Sequence, residues 1–98
     1  MPVDQYLLDI MTLEDRIKRL KFRSSHRGTR EADMMIGDFY DAYGRGWGEA
    51  EVNWFEAFLE EQDVDIMAWA LGTQPVPEQW RCDLMTAFCR LDYLKPPA

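Results

Sequence analysis

Apolar residues in this chain recur at steps of three and four, and no segment alternates with the period of two that a half-buried strand needs. The repeat is interrupted by glycines and prolines, so the pattern describes several short helices. Tyr6, Ile10, Leu13, Ile17 and Leu20 form the first stripe. Thr12 with Asp15 three positions later reads as a capping box, which starts a helix at Thr12 that runs to about Ser24. Residues 1–11 are left as a loosely ordered N-terminal extension. The second helix is expected from about Thr29, a plausible N-cap, to Tyr43, with Ala32, Met35, Ile36, Phe39 and Tyr43 inward.

Gly44, Gly46 and Gly48 then break the pattern. A phosphate-binding loop needs a preceding strand, so this stretch reads as a turn. With Gly48 as N-cap, Trp47 and Val52 occupy the hydrophobic-staple positions of a third helix, and Glu49 and Glu51 suit its positive end. Val52, Phe55, Phe58 and Leu59 face inward. Asp63 is expected to cap a fourth helix that buries Val64, Met67, Ala68 and Leu71 and stops at Gly72. Pro77 suits the first position of a fifth, whose seam is Trp80, Leu84, Ala87, Leu91 and Leu94. Pro96 and Pro97 end it. The expected fold is all-α: residues 1–98 as a single-domain bundle of about five short helices, with 95–98 as a tail.

Charge is distributed unevenly. Residues 1–30 carry seven Lys/Arg against four acids and residues 31–98 carry four against fourteen, which together give the net charge of −7. So acidic a remainder argues for protein partners and against nucleic acid, whose affinity comes from neutralised phosphates. The basic face of the first helix (Arg16, Lys18, Arg19, Lys21) reads as solvated, with docking as the alternative. No apolar run is long enough for a signal or membrane-inserted segment. Cys82 and Cys89, seven apart in one expected helix, are separated by about 10.5 Å along its axis and do not bridge each other there. Two unpaired thiols fit a reducing, cytoplasmic setting.

Catalytic chemistry is sparse. His26 is the only histidine, it lies among like charges, and a lone imidazole supplies neither a triad nor a zinc site. No catalytic residue, metal ligand set or stably bound cofactor is expected. Asp63 and Asp65 form at most an acidic patch.

The remaining feature is Arg27-Gly28-Thr29-Arg30-Glu31. By elementary chemistry it is a helix-ending glycine followed by an acid in the next helix's first turn, with Arg27 and Glu31 exposed and close together. Continued through Asp33, Phe39-Tyr40, Glu51, Phe55, Leu59, Asp63-x-Asp65, Trp69 and Pro75-Val76-Pro77-Glu78, the pattern resembles the FAD-assembly factors of succinate dehydrogenase. These are the bacterial SdhE proteins and their mitochondrial counterparts. The resemblance runs from about His26 to Leu91. Ala32, Val64 and the glycine-rich Gly44-Arg45-Gly46 depart from the family's usual residues.

The resemblance implies a non-enzymatic, bacterial cytoplasmic factor. Such a factor binds the flavoprotein subunit of succinate dehydrogenase, or of fumarate reductase, and promotes covalent attachment of FAD to a histidine of that client. It implies a partner-binding surface of Arg27, Gly28 and Glu31, with Arg30 and Asp33 secondary. Arg27 would offer a planar fork of donors, Glu31 an acceptor, and Gly28 a close backbone approach. Two readings compete with it: a helical interaction module of antitoxin-like or regulatory type serving another client, and a small DNA-binding protein using the basic first helix.

Overall fold

The structure, a computed structural model, describes residues 12–96; the expectations on residues 1–11 and on the last two residues of the tail fall outside it. Among the described residues five α-helices appear in order: α1 (Leu13–Ser25), α2 (Arg30–Tyr43), α3 (Glu49–Phe58), α4 (Asp63–Leu71) and α5 (Asp83–Arg90). Short 3₁₀ turns at Gly44–Gly46 and Glu78–Trp80 connect them, and no strand occurs among the described residues. The all-α expectation holds.

Local chemistry sets most of the boundaries. Thr12 Oγ1 accepts from the Asp15 N–H at 3.1 Å and starts α1; Thr29 Oγ1 accepts from the Ala32 N–H at 3.2 Å and starts α2. At Gly48 the capping contact runs one way, from the Gly48 N–H to Glu51 Oε1 at 2.8 Å. α1 and α2 pack closely because position 37 has no side chain: a Cβ at Gly37 would lie 3.3 Å from Ser25 Cα and Cβ.

The core is one hydrophobic cluster. α2 contributes Ala32, Met35, Ile36, Phe39 and Tyr40, α3 contributes Val52, Phe55 and Phe58, and Leu20, Trp47, Leu59, Ile66, Trp80, Met85 and Phe88 close around them. Phe39 sits at its centre, with ring centroids 5.2 Å from both Phe88 and Tyr93. Trp47 is buried as a staple residue should be, and its ring packs on Phe55 at 4.9 Å. Tyr40 donates its hydroxyl to the Ile17 carbonyl at 2.7 Å, pinning α2 to α1.

Three expectations are corrected. The seam from Trp80 to Leu94 is not one helix. Trp80 reaches the core from a 3₁₀ turn, Cys82 is extended, α5 starts at Asp83, and Leu91 ends it in the left-handed region at φ 58°. Beyond it Tyr93 folds back and donates to the Phe88 carbonyl at 2.9 Å, and burial pushes its phenol pKa upward. Second, α4 is turned relative to its expected stripe: Ile66 and Ala70 are buried, whereas Val64 and Leu71 are 72% and 58% exposed. Almost every residue of Asp63-Val-Asp-Ile-Met-Ala-Trp-Ala-Leu71 is apolar, so periodicity offers two stripes. Packing chooses the one that places Trp69 against Phe58, at 6.1 Å between centroids.

Third, the basic face of α1 is solvated at Lys18, Arg19 and Lys21 as expected, but Arg16 departs from it and turns inward. Arg16 Nη2 bonds Glu56 Oε1 at 2.7 Å and also reaches Asn53. Lys21 meets Asp41 at 2.7 Å, and Arg23 meets Glu60 at 2.6 Å. Asp41 also receives Lys95 Nζ at 2.6 Å, which ties the start of the C-terminal tail to α2.

Candidate functional site: the turn between α1 and α2

The chain reverses between Ser25 and Arg30. Gly28 stands at φ +114°, and nothing lies within 4 Å of where its Cβ would be. Glycine is therefore required by the backbone and not by crowding. The turn is closed from inside α2, where an Asp33 carboxylate oxygen accepts the Arg27 backbone N–H and Thr29 caps the helix.

Arg27 does not point outward. Its Nε donates to Asp63 Oδ1 at 2.8 Å, and its Nη2 donates to the carbonyls of Leu59 at 2.9 Å and Glu61 at 3.2 Å. Only 11% of its side chain is exposed. The expectation of an exposed Arg27 beside Glu31 is thus corrected, and the reason is local. The end of α3 leaves carbonyls without helical partners, α4 begins with a carboxylate, and a planar guanidinium can serve all three together. Asp63 correspondingly does not act as the N-cap. That position belongs to Gln62, and Asp63 is the first helical residue.

Arg30 and Glu31 behave oppositely. Both are exposed, and neither has a side-chain hydrogen bond or ion pair among the described residues. Glu31 sits in the first turn of α2 beside Asp33, where the helix dipole favours a carboxylate. The five predicted residues therefore meet at one turn but divide: Arg27 and Asp33 face the fold, while Gly28, Arg30 and Glu31 face solvent. A partner for Arg27 at position 63 carries no sequence signal, because the two are 36 positions apart.

Next to this turn lies a shallow apolar groove of about 390 Å³, lined by Thr29, Asp63, Val64, Met67, Leu71 and neighbouring atoms of α4. It consists of the apolar stripe that the sequence pattern assigned to the core.

Other candidates resolve into structural roles. His26 stacks on Phe22 at 3.9 Å with its Nδ1 2.8 Å from the Phe22 carbonyl oxygen. Among the described residues, no group of three His, Cys, Asp or Glu side chains could hold a metal ion, and no helix is long and apolar enough to cross a membrane. Cys82 is exposed and Cys89 half-buried, both as free thiols. Burial raises the Cys89 thiol pKa. The indole N–H groups of Trp54 and Trp80 lack hydrogen-bond partners, but the two rings meet edge to face at 84° and 6.1 Å, a geometry in which a ring face can receive an N–H.

Five short helices of the described residues around an aromatic core, with an internally braced turn that displays exposed Arg30 and Glu31, define a small all-α protein. The chain belongs to the family described as flavinator of succinate dehydrogenase, whose model matches residues 18–91. It is 40% identical over 67 residues to the FAD assembly factor SdhE of Acetobacter pasteurianus, covering 68% of this chain and 62% of that protein. It is 32% identical over 74 residues to the mitochondrial succinate dehydrogenase assembly factor 2 of Mycosarcoma maydis, covering 76% of this chain and 31% of that one. A similar match, 32% over 71 residues, is made to the Saccharomyces cerevisiae mitochondrial assembly factor 2, with 69% and 44% covered. The chain thus spans between about one third and two thirds of the length of these relatives.

Proposed function

We propose that this protein binds the flavoprotein subunit of succinate dehydrogenase, and of fumarate reductase where that enzyme is present, and promotes covalent attachment of FAD to a client histidine. The observation that carries this reading is the exposed, unpaired Arg30–Glu31 pair, on a turn that hydrogen bonds among Arg27, Asp33 and Asp63 brace. The braced backbone of the turn need not be ordered on docking, so the ordering cost falls on the two exposed side chains alone.

In this proposal the chain does not perform the chemistry. It contributes no nucleophile, no resident metal and no stably held flavin; FAD and the histidine both belong to the client. Binding holds the client so that flavin and histidine meet, and restricting geometry alone is worth about 7–11 kcal/mol in favourable cases. Gly28 lets client backbone approach the turn, Glu31 accepts and Arg30 donates at the contact, and Arg27 and Asp33 act through the shape they impose on it. Two free thiols and the bacterial relative support a cytoplasmic setting.

The test is direct. Apo-flavoprotein subunit is incubated with FAD, with and without this protein, then denatured, and covalent flavin is read by its fluorescence on the separated polypeptide. The proposal expects clear acceleration by the added protein. Equal rates in both samples would reject it in favour of a helical module with another client.

A further inference from the structure

The groove beside the turn offers a second kind of contact, and the argument for it rests on the client reading above. Val64, Met67, Ala68 and Leu71 occupy positions i, i+3, i+4 and i+7 of α4, a continuous stripe on one helix face. Val64 and Leu71, at its ends, are among the most exposed large apolar side chains of the described residues, at 72% and 58%. A stripe of this kind is normally buried against a neighbouring element; here Met67 packs partly against the core and Ala68 is half-buried, but Val64 and Leu71 are left exposed. The hollow between its side chains is about 390 Å³, enough for one or two apolar side chains of a partner.

Two observations indicate what covers it. The groove is continuous with the turn: Thr29, between Gly28 and Arg30, forms part of its wall, and Asp63, the acid held by Arg27, forms another part. A partner that touches Glu31 thus meets the groove without crossing intervening structure. The part of the chain that forms α2 to α5 is also one-sided in charge, with four Lys/Arg against fourteen acids over residues 31–98. Exposed Glu31 opens α2 and exposed Asp65 follows Val64 by one residue, while the Asp63 carboxylate is already matched by Arg27. Arg30 is the single exposed cation of the turn itself.

We infer that the α4 groove is the apolar half of the client interface, and that it receives an apolar side chain of the flavoprotein flanked by a lysine or arginine that faces Glu31. The charged pair at the turn then sets orientation, and the groove supplies the desolvated centre that most specific interfaces possess. The stripe lies on the outer face of α4, so substituting its exposed ends leaves the core intact.

The experiment measures affinity for the purified apo-flavoprotein subunit by calorimetry, using the full chain and its Leu71→Asp, Leu71→Lys, Val64→Ser and Glu31→Ala variants, with melting curves as the control for folding. Loss of the apolar anchor weakens binding by about tenfold or more in both Leu71 variants. Leu71→Lys loses more than Leu71→Asp, and the gap narrows as salt is raised, because a cationic flank is repelled by one and tolerated by the other. Parent-like affinity in Leu71→Asp and Val64→Ser, with Glu31→Ala impaired, overturns the groove while leaving the client reading standing. Lack of binding by the parent chain overturns the client reading itself. A parent that sediments as a dimer, and becomes monomeric in Leu71→Asp without loss of client affinity, assigns the groove to a second copy and likewise overturns the inference.

Discussion

α1 and the outer face of α4 flank the same turn and are built in opposite ways. On α1, charge is abundant and mostly committed: Arg16 to Glu56, Lys21 to Asp41 and Arg23 to Glu60, with Arg27 just beyond the helix bound to Asp63 and Arg19 left exposed without a partner among the described residues. On α4 the stripe is apolar, and its ends, Val64 and Leu71, are exposed. The difference teaches that the amount of charge or apolar surface in a segment does not mark a docking face. What marks it is whether the group already has a partner. By that criterion the proposed client-facing surface is Gly28, Arg30, Glu31 and the exposed ends of the α4 stripe, while Arg16 and Arg23 of the basic helix serve as internal bracing and Arg19 alone among its cations has no partner among the described residues.

The sharpest way to break this comparison is at Arg27. If the residue braces the fold, Arg27→Ala strands a half-buried Asp63 carboxylate and two backbone carbonyls at the α3–α4 junction, costing about 2–3 kcal/mol in denaturant unfolding. An unchanged unfolding midpoint would return Arg27 to the solvent-facing half. Gly28→Ala comes next: at φ +114° an alanine is strained although space is available, and a loss of about 1–2 kcal/mol is expected. A loss of stability near zero would show that the turn can relax, and with it the claim of a rigid display.

The third test uses pH. Burial by itself would raise the Asp41 carboxyl pKa, but hydrogen bonds from Lys21 and Lys95 and their positive charges outweigh it, so the folded-state value lies below the ordinary one. A depressed carboxylate contributes stability above its unfolded pKa and loses that contribution as pH falls through the folded value. Asp41→Asn should therefore lower the melting temperature at neutral pH by less than Gly28→Ala does. The gap from the parent should close in acid below the Asp41 folded-state pKa. A gap that stays constant on acidification would mean that the paired lysines of α1 and the tail contribute nothing through this group.

These outcomes also bear on what the sequence could disclose. Helix starts at Thr12, Thr29 and Gly48 were legible because capping is encoded within three or four residues. Gly28 was legible for a related reason, since a glycine between two helical patterns signals left-handed backbone. The orientation of α4 was not, because Val64 and Ile66 are equally apolar and only the packing of Trp69 on Phe58 decides between their faces. The pairing of Arg27 with Asp63 is hidden by a separation of 36 positions, so local pattern alone leaves Arg27 on the surface. The break in the last seam was missed too: Trp80 and Ala87 do reach the core, but Cys82 is extended between them, and apolar spacing carries no information about such an interruption.

The central claim is that one turn has a bracing half and a client-facing half, and Glu31→Ala tests it most directly. The group is exposed and unpaired, so its removal should shift stability by no more than about 0.5 kcal/mol, whereas loss of one side of a desolvated interfacial contact costs about 2–5 kcal/mol in binding. Covalent flavin on the apo-flavoprotein subunit is measured at limiting factor concentration, with Glu31→Ala and parent chosen to have matching melting curves. The account predicts a sharp fall in covalent flavin for Glu31→Ala. Full attachment by a normally melting Glu31→Ala would contradict it and leave the stretch as a helix start alone.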